Sequence, residues 1–304
     1  MSVTDMTTAI EGAVDDGDSV YLAGFTHLIP FAAGHELIRQ GYEGLTLVRA
    51  TPDLVYDQLI AAGCADAVTF SWAGNPGVGS LRAFRRAVED GVPNELELDE
   101  YSHFGLTSRL AAGAQDLPFV PLRTFLGSDY PAVNENIRVI ENPYDPDEQV
   151  AVVPPLTPDV AVVHAQRADR DGNAHVWGIQ GELVEAAFAA DTVVLTVEEL
   201  VDESTVRSDP NRTAVTGDVV DYVVEVPFGA HPSYAQGYYD RDNEAYLAWD
   251  ETSRSHEGTL AWLDEWVHGV ENRTEYMEKL GAERLLELLP KTSYNTPIDM
   301  GAYQ

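Results

Sequence analysis

The sequence predicts an α/β protein with an open, mostly parallel sheet flanked by helices and a helical layer at its C-terminal end. Between residues 19 and 114, short apolar runs alternate with segments of helical periodicity, which is the pattern of repeated βαβ crossovers. Residues 159–164 are apolar enough for a central strand that is buried on both faces. Over residues 234–289, apolar and aromatic residues recur at helical spacing. We predict one domain over 1–304, with 234–304 as a helical C-terminal extension.

The first strand–turn–helix unit, at residues 18–40, is the one around which we arrange the rest of the chain. Residues 19–23 form a β-branched and apolar run, and Gly24 then allows a turn in which a Cβ would be in the way. Pro30 suits the first turn of a helix that continues over 31–40. Such a junction places backbone N–H groups and the positive end of a helix dipole together, which favours an anionic or oxyanion-bearing ligand. The alternative is a plain βα unit that binds nothing.

The other elements follow in order. We predict a helix over 3–16, strands over 45–48, 67–72 and 95–99, and helices over 53–62, 81–90 and 101–114. In the second half we predict strands over 159–164, 192–197 and 221–226 and a helix over 182–190. Eight prolines interrupt residues 115–158, so we expect long loops there that are functional or lie at an interface. The glycine-rich loop 74–79 fits neither a dinucleotide nor a P-loop pattern, so we expect a general ligand loop at the carboxyl end of the sheet.

The charge of the chain excludes several kinds of partner. Asp and Glu number 51 against 18 Lys and Arg, which gives a formal net charge of −33. A surface this acidic repels nucleic acids and anionic membranes. Lys279 and Lys291 are the only lysines, and acids are spread along the whole chain. This composition is typical of cytosolic proteins of salt-accumulating archaea, because molar salt shortens the Debye length to about 3 Å.

Segments that would mark another location or a metal centre are not seen in the sequence. It has no run of about 18 apolar residues, and its acidic first residues do not resemble a signal peptide, so we expect a cytoplasmic protein. Cys64 is the only cysteine and the histidines are scattered, so we expect no disulfide and no metal site.

A few polar residues stand at positions where chemistry is common. Glu100, Glu198 and Glu199 end predicted strands, where a carboxylate can act as a base or nucleophile, although a solvated strand end is the more common case in so acidic a chain. His27 and His231 lie on glycine loops and have either a functional or a structural role.

Several stretches resemble the family I coenzyme A transferases, specifically the A-type chain of glutaconate CoA-transferase. They include AGFTH at 23–27, AGN at 73–75, EYSHF at 100–104 and PFGAHP at 227–232. Further stretches of the same kind are 35–39, 84–87, 113–114, 117–119, 126–129, 164–169 and 172–174. They occur in order over about residues 18–235. Ala23 departs from the family, which usually has a glycine there.

The resemblance implies an enzyme that needs a second chain. In this family a B subunit carries the nucleophilic glutamate in a Ser-Glu-Asn-Gly-type motif, which this sequence lacks. The implied reaction is ping-pong transfer of CoA from an acyl-CoA to a carboxylate, with CoA as a substrate and with no cofactor or metal. The A subunit would shape the acyl pocket with Gly24, Phe25, His27, Ser71, Gly74 and Asn75.

Two other hypotheses stay open. One branch of the family hydrolyses a ring-containing acyl-CoA, and there the resemblance makes Glu100 the candidate catalytic residue. A non-catalytic sugar-phosphate-binding protein of the same fold is the other, but it would need a basic pocket, and lysine is almost absent. The sequence does not specify the acyl substrate.

Overall fold

The structure, a computed structural model, describes residues 2–75 and 77–290. Its strands are β1 (Ser2–Val3), β2 (Ser19–Leu22), β3 (Leu45–Val48), β4 (Ala65–Phe70), β5 (Glu97–Glu100), β6 (Val120–Leu122), β7 (Arg138–Asn142), β8 (Asp145–Val153), β9 (Val160–Ala168), β10 (Ala174–His175), β11 (Thr192–Leu200), β12 (Thr213–Val215) and β13 (Tyr222–Glu225). In these two ranges, no helix is both long enough and apolar enough to span a bilayer.

The helices alternate with the strands in the first half and follow one another at the end. They are α1 (Met6–Ala13), α2 (Phe31–Gln40), α3 (Leu54–Ala61), α4 (Arg82–Asp90), α5 (His103–Ala114), α6 (Tyr130–Val133), α7 (Leu183–Ala189), α8 (Glu203–Ser208), α9 (Asn243–Thr252), α10 (His256–Leu263), α11 (Arg273–Leu280) and α12 (Ala282–Leu288).

The main sheet confirms the predicted α/β class. Its strand order is β1-β13-β11-β9-β2-β3-β4-β5, and every neighbouring pair on this path is parallel. The chain builds outward from β2 through β3, β4 and β5 on one side, and β9, β11 and β13 extend the other side. The direction of winding therefore changes beside β2. In open α/β sheets, ligands bind at the carboxyl ends of the strands near such a point.

Alternation along β2 divides the core into two layers. Val20 and Leu22 point into the larger cluster, which contains residues of α1 to α4 and of the C-terminal helices. Tyr21 and Ala23 point into the opposite cluster with residues of α5 and α7. Both sets are fully buried, as expected for a central parallel strand.

Residues 115–158 form more regular structure than the sequence indicated. They contain a three-stranded antiparallel sheet in the order β6-β8-β7, which covers a small third apolar cluster. The prediction of long loops was wrong here. Strand β7 is exposed along nearly its whole length, so it lacks the inward-facing apolar positions from which a strand is recognised.

The C-terminal helical layer is present but starts later than expected. Residues 234–242 are not helical, and the first helix begins at Asn243. The backbone at Gly237 has φ +91°, and Tyr234 forms a bridge with His27, so this segment holds the loop below it and cannot continue as a helix. Residues 291–304 of the predicted extension lie outside the described residues.

Asp57 of α3 forms hydrogen bonds to both α9 of the C-terminal layer and α4. Its carboxylate accepts hydrogen bonds from Trp249 Nε1 at 2.8 Å and from the backbone N–H of Phe84 at 2.7 Å. The side chain is fully buried, and burial raises the pKa of Asp57 to about 6, although both hydrogen bonds lower it.

We expect Asp57→Asn to change how stability depends on pH. Because the pKa of Asp57 is higher in the folded state than in the unfolded chain, its contribution is fully present at low pH and is lost as pH rises through about 6. The free energy of unfolding of the wild type minus that of Asp57→Asn should therefore fall by about 1 kcal/mol or more between about pH 5 and about pH 7.5. Denaturant titration in molar KCl measures it. Asp90→Asn, at an exposed position, is the control with the same charge change, and equal pH profiles for the two variants would contradict the assignment.

Candidate active site

A cavity of about 120 Å³ lies at the carboxyl ends of strands β2 to β5. It holds about four water volumes, which is the scale of a small acyl group. The loops after these four strands supply most of the wall, and the start of the C-terminal layer closes one side. The lining residues are Phe25, Thr26, Thr51, Asp53, Trp72, Gly74, Asn75, Val78, His103, Arg241 and Tyr246. Three of the predicted pocket residues, Phe25, Gly74 and Asn75, are among them.

The turn after β2 is a strained loop that directs two side chains at the cavity. Gly24 has φ +107°, and a Cβ there would lie 2.6 Å from the carbonyl oxygen of His27. Thr26 and Leu28 adopt positive φ values of 59° and 52°, which non-glycine residues rarely do. Gly24 is buried and forms the turn, whereas Phe25 and Thr26 reach the cavity wall.

His27 lies behind this turn and not on the cavity wall. Its Nδ1 donates to the carbonyl of Ile179 at 2.8 Å, so its Nε2 accepts the N–H of Gln236 at 3.1 Å. The ring is fully buried, and burial lowers the pKa of His27 to about 4, which keeps it neutral. Both nitrogens are occupied by backbone, so the expected substrate contact is replaced by a structural one that ties three loops together.

The predicted anion site at the start of α2 is occupied by the protein itself. The backbone N–H of Ala32 donates to the carbonyl of Gly229 at 2.9 Å, and Phe31 and Ala33 are buried. The N–H groups of Phe31 and Ala32 are therefore already bonded within the fold and are not free for a ligand.

The loop after β4 supplies an unsatisfied polar group to the cavity. The N–H of Gly74 donates to the carbonyl of Pro52 at 3.0 Å and is therefore not free for a ligand. A Cβ at Gly74 would lie 2.7 Å from the indole of Trp72, which packs over the loop. Asn75 is 5% exposed, and neither its amide nitrogen nor its amide oxygen has a hydrogen-bond partner among the described residues. Because buried amides are normally bonded, Asn75 is suited to bind a ligand.

Ser71 and His103 form a pair at the cavity edge. Ser71 Oγ lies 2.5 Å from His103 Nδ1 and donates to the carbonyl of Ala50 at 3.0 Å, so Nδ1–H of His103 donates to Ser71. The imidazole lines the cavity, whereas Ser71 lies behind it. Sequence analysis identified Ser71 as a pocket residue and did not identify His103, although His103 lies in the EYSHF stretch at 100–104, at the start of α5.

A buried ion pair sets the charge beneath the cavity. Arg49 is fully buried, and its Nη2 lies 2.6 Å from Oδ2 of Asp53, the only carboxylate among the described lining residues. The guanidinium also donates to the carbonyls of Thr51, Leu22 and Ala23. Burial raises the pKa of Asp53 and the adjacent cation opposes that rise. The Asp53 charge is thus neutralised from below.

Comparison with known proteins places this geometry in a family. Residues 3–226 match the family described as Coenzyme A transferase. The A-type chain of the 3-oxoadipate CoA-transferase of Pseudomonas knackmussii is 53% identical over 272 residues, which cover 90% of this chain and 95% of the relative. The chain belongs to the coenzyme A transferase family.

Two further comparisons show how the chain relates to other members. The crystal structure of glutaconate coenzyme A-transferase from Acidaminococcus fermentans superposes with a TM-score of 0.93 and 34% identity, covering 99% of this chain and 100% of that chain. The cholesterol ring-cleaving hydrolase IpdA subunit of Mycobacterium tuberculosis is 29% identical over 287 residues, 88% of this chain and 94% of the relative. The chain is therefore the A-type component of a CoA-transferase.

Glu100 lies outside the transferase cavity. It is exposed at the end of β5, the edge strand, where its carboxylate accepts a hydrogen bond from Tyr130 Oη at 3.0 Å. The groove that includes Glu100 is lined by residues of β3, β4 and β5 and by residues 130–136, and Glu100 is not among the described lining residues of the cavity.

Glu198 has a structural environment. Its carboxylate is buried, with His164 Nε2 at 2.7 Å, the N–H of Phe228 at 2.6 Å and the hydroxyl of Tyr239 also bonded to it. Glu199 is exposed and accepts from Tyr238 Oη at 2.8 Å. Among the described residues, no three or more His, Cys, Asp or Glu side chains are grouped to hold a metal.

Replacing Gly24 by Ala tests the turn of this transferase. Both Gly24 and Gly17 have positive φ, +107° and +86°, so alanine is strained at either position. Only at Gly24 does the new Cβ meet other atoms, at 2.6 Å, whereas nothing lies within 4 Å of it at Gly17. We expect Gly24→Ala to lower the free energy of unfolding by about 2 kcal/mol more than Gly17→Ala does. Equal losses in denaturant titrations would show that the turn relaxes without cost.

Proposed function

We propose that this chain is the A-type component of a two-subunit enzyme that transfers CoA from an acyl-CoA to a small carboxylic acid of the 3-oxoadipate kind. A separate B subunit supplies the nucleophilic glutamate. The observation that carries the proposal is the 53% identity to the corresponding chain of a 3-oxoadipate CoA-transferase, over 90% of this chain and 95% of the relative. This likeness supports a class of small acids that resemble 3-oxoadipate.

The charges around the cavity support a nucleophile from another chain. Among the described lining residues Asp53 is the only carboxylate, and Arg49 binds it at 2.6 Å. A carboxylate held in a buried ion pair is a poor nucleophile, because attack would leave the arginine charge unpaired. The amide of Asn75, which has no hydrogen-bond partner among the described residues, and the side chains of Phe25 and Thr26 are positioned to hold the acyl group.

The proposed reaction has four balanced steps. The B-subunit glutamate attacks the acyl-CoA carbonyl, which forms an acyl–glutamyl anhydride and releases the CoA thiolate. The thiolate attacks the glutamyl carbonyl, which gives a glutamyl-CoA thioester and the first free carboxylate. The second carboxylate attacks this thioester, forming a new anhydride and the thiolate again. The thiolate then attacks the acyl carbonyl and leaves the new acyl-CoA and the free glutamate.

The two alternatives have less support. A ring-opening hydrolase would use Glu100, but that side chain is exposed and is not among the described lining residues of the cavity, and the hydrolase relative is 29% identical. A non-catalytic binding protein would need a cluster of cations at a phosphate pocket. The cavity has one arginine and no lysine among its described lining residues.

The test is to assemble the complex of this chain with its B subunit, then to measure CoA exchange between acetyl-CoA and 3-oxoadipate by mass spectrometry. We expect exchange by the wild type and a glutamyl-CoA adduct on the B subunit. Asn75→Ala should lower kcat/KM about 10- to 100-fold, because one hydrogen bond to the reacting acyl group is lost. Asn136→Ala, at an exposed position outside the cavity, is the matched control.

Glu100→Ala separates the transferase from the hydrolase. On the proposed function it retains exchange, since Glu100 does not line the cavity. The hydrolase would be favoured if the wild type releases free acid and CoA without exchange and Glu100→Ala abolishes that release.

We also propose that the protein works in the salt-rich cytoplasm of a halophile. Exposed carboxylates repel one another, and molar salt shortens the range of that repulsion to about 3 Å. The free energy of unfolding should therefore rise between about 0.2 M and about 2 M KCl. The rise should be smaller in a variant with the exposed Glu11, Glu141 and Glu278 replaced by Gln. Stability that is independent of KCl would contradict the proposal.

A further inference from the structure

Arg241 is the one permanent cation on the cavity wall. Among the described lining residues it is the only lysine or arginine, and it comes from the segment that leads into α9. Its Nε donates to Asn243 Oδ1 at 2.6 Å, and its guanidinium carbon lies 5.6 Å from the ring centre of Tyr246. These contacts involve the Nε atom and one face of the Arg241 guanidinium. Neither terminal nitrogen has a hydrogen-bond partner among the described residues.

Most of the described arginines form ion pairs in this acidic chain, and Arg241 does not. The sequence has 51 acids, and ten of the sixteen arginines form an ion pair with Asp or Glu. Arg241 is only partly exposed and forms no ion pair within the described residues, although acids are available over most of the surface. A guanidinium that keeps two terminal nitrogens open at a cavity presents the fork that binds a carboxylate in bidentate fashion.

The other charged and titratable groups at the cavity do not cancel this cation. Asp53 is paired with Arg49 at 2.6 Å, so the two together are close to neutral. His103 uses its Nδ1 to bond Ser71 at 2.5 Å, and the hydroxyl of Tyr246 belongs to a fully buried side chain whose pKa burial raises well above its usual range. The cavity therefore has a local positive charge inside a molecule of net charge −33.

We propose that Arg241 binds the second carboxylate of a dicarboxylic substrate and so makes the enzyme selective for dicarboxylic over monocarboxylic acids. The proposal rests on the proposed function, because it assigns the specificity of the same cavity. The reacting carboxylate lies at the mouth, toward the B-subunit glutamate, and the distal one reaches the guanidinium. A phosphate of CoA has the same chemistry and is the alternative source of the anion.

The experiment compares acids of one length in the assembled enzyme. Acceptors are adipate and hexanoate, with acetyl-CoA as donor, and KM is measured for each. Arg241→Gln should raise KM for adipate about 10- to 100-fold, the usual cost of a charged hydrogen-bonded pair, and change KM for hexanoate and acetyl-CoA by less than about 3-fold. Arg241→Lys should lie between, because it keeps the charge and loses the fork. Arg254→Gln, at an exposed arginine paired with Glu251, is the control.

Other results would overturn the inference in distinguishable ways. If KM for acetyl-CoA rises and both acids change equally, Arg241 binds a CoA phosphate. If both acids weaken equally with acetyl-CoA unchanged, Arg241 only shapes the cavity. Thermal shifts with adipate and with hexanoate measure binding without turnover. If the wild type exchanges no CoA but shows an adipate-specific thermal shift that Arg241→Gln lacks, the proposed function fails and the inference stands. If the wild type shows no adipate-specific shift, the inference fails together with the proposed function.

Discussion

The cavity depends on one neutral histidine. His27 donates to Ile179 and accepts from Gln236, so it connects the turn after β2 with two loops that are distant in sequence. A charged imidazole would have no acceptor for its second proton there, and burial prevents that charge by lowering the pKa to about 4. The strained backbone at Thr26 and Leu28 persists because these contacts on both sides determine its position. The two side chains presented by the turn then stand at fixed positions on the cavity wall.

A second constraint is electrical. The fold places a carboxylate, Asp53, on the cavity wall and pairs it with the buried Arg49 at 2.6 Å. Satisfying Arg49 takes three carbonyls at the ends of β2 and β3 in addition to Asp53. These three carbonyls therefore already accept hydrogen bonds from Arg49. Within the described residues, the buried amide of Asn75 and the terminal nitrogens of Arg241 are among the cavity groups that have no hydrogen-bond partner.

Sequence patterns identified the sheet and part of the site, and the reasons for the misses are physical. Buried parallel strands such as β9 are continuous apolar runs, and glycine turns such as that at Gly24 have a local signature. Phe25 and Asn75 follow such strands, so their placement at the cavity was predictable. Arg241 was missed because only the folded chain brings it to the cavity, whereas the EYSHF stretch that follows β5 was a signal that could have identified His103. The structural role of His27 depends on hydrogen bonds to Ile179 and Gln236, which are more than 150 residues away in sequence.

The boundary of the shared family region passes through the cavity. The family match ends at residue 226, whereas Arg241 and Tyr246 come from the segment beyond it. The turn after β2 and the loop after β4 lie within the family match, and Arg241 lies in the segment that follows it. The wall of one cavity is thus assembled from both sides of residue 226, so a change in the C-terminal layer alters that wall without altering the turn after β2.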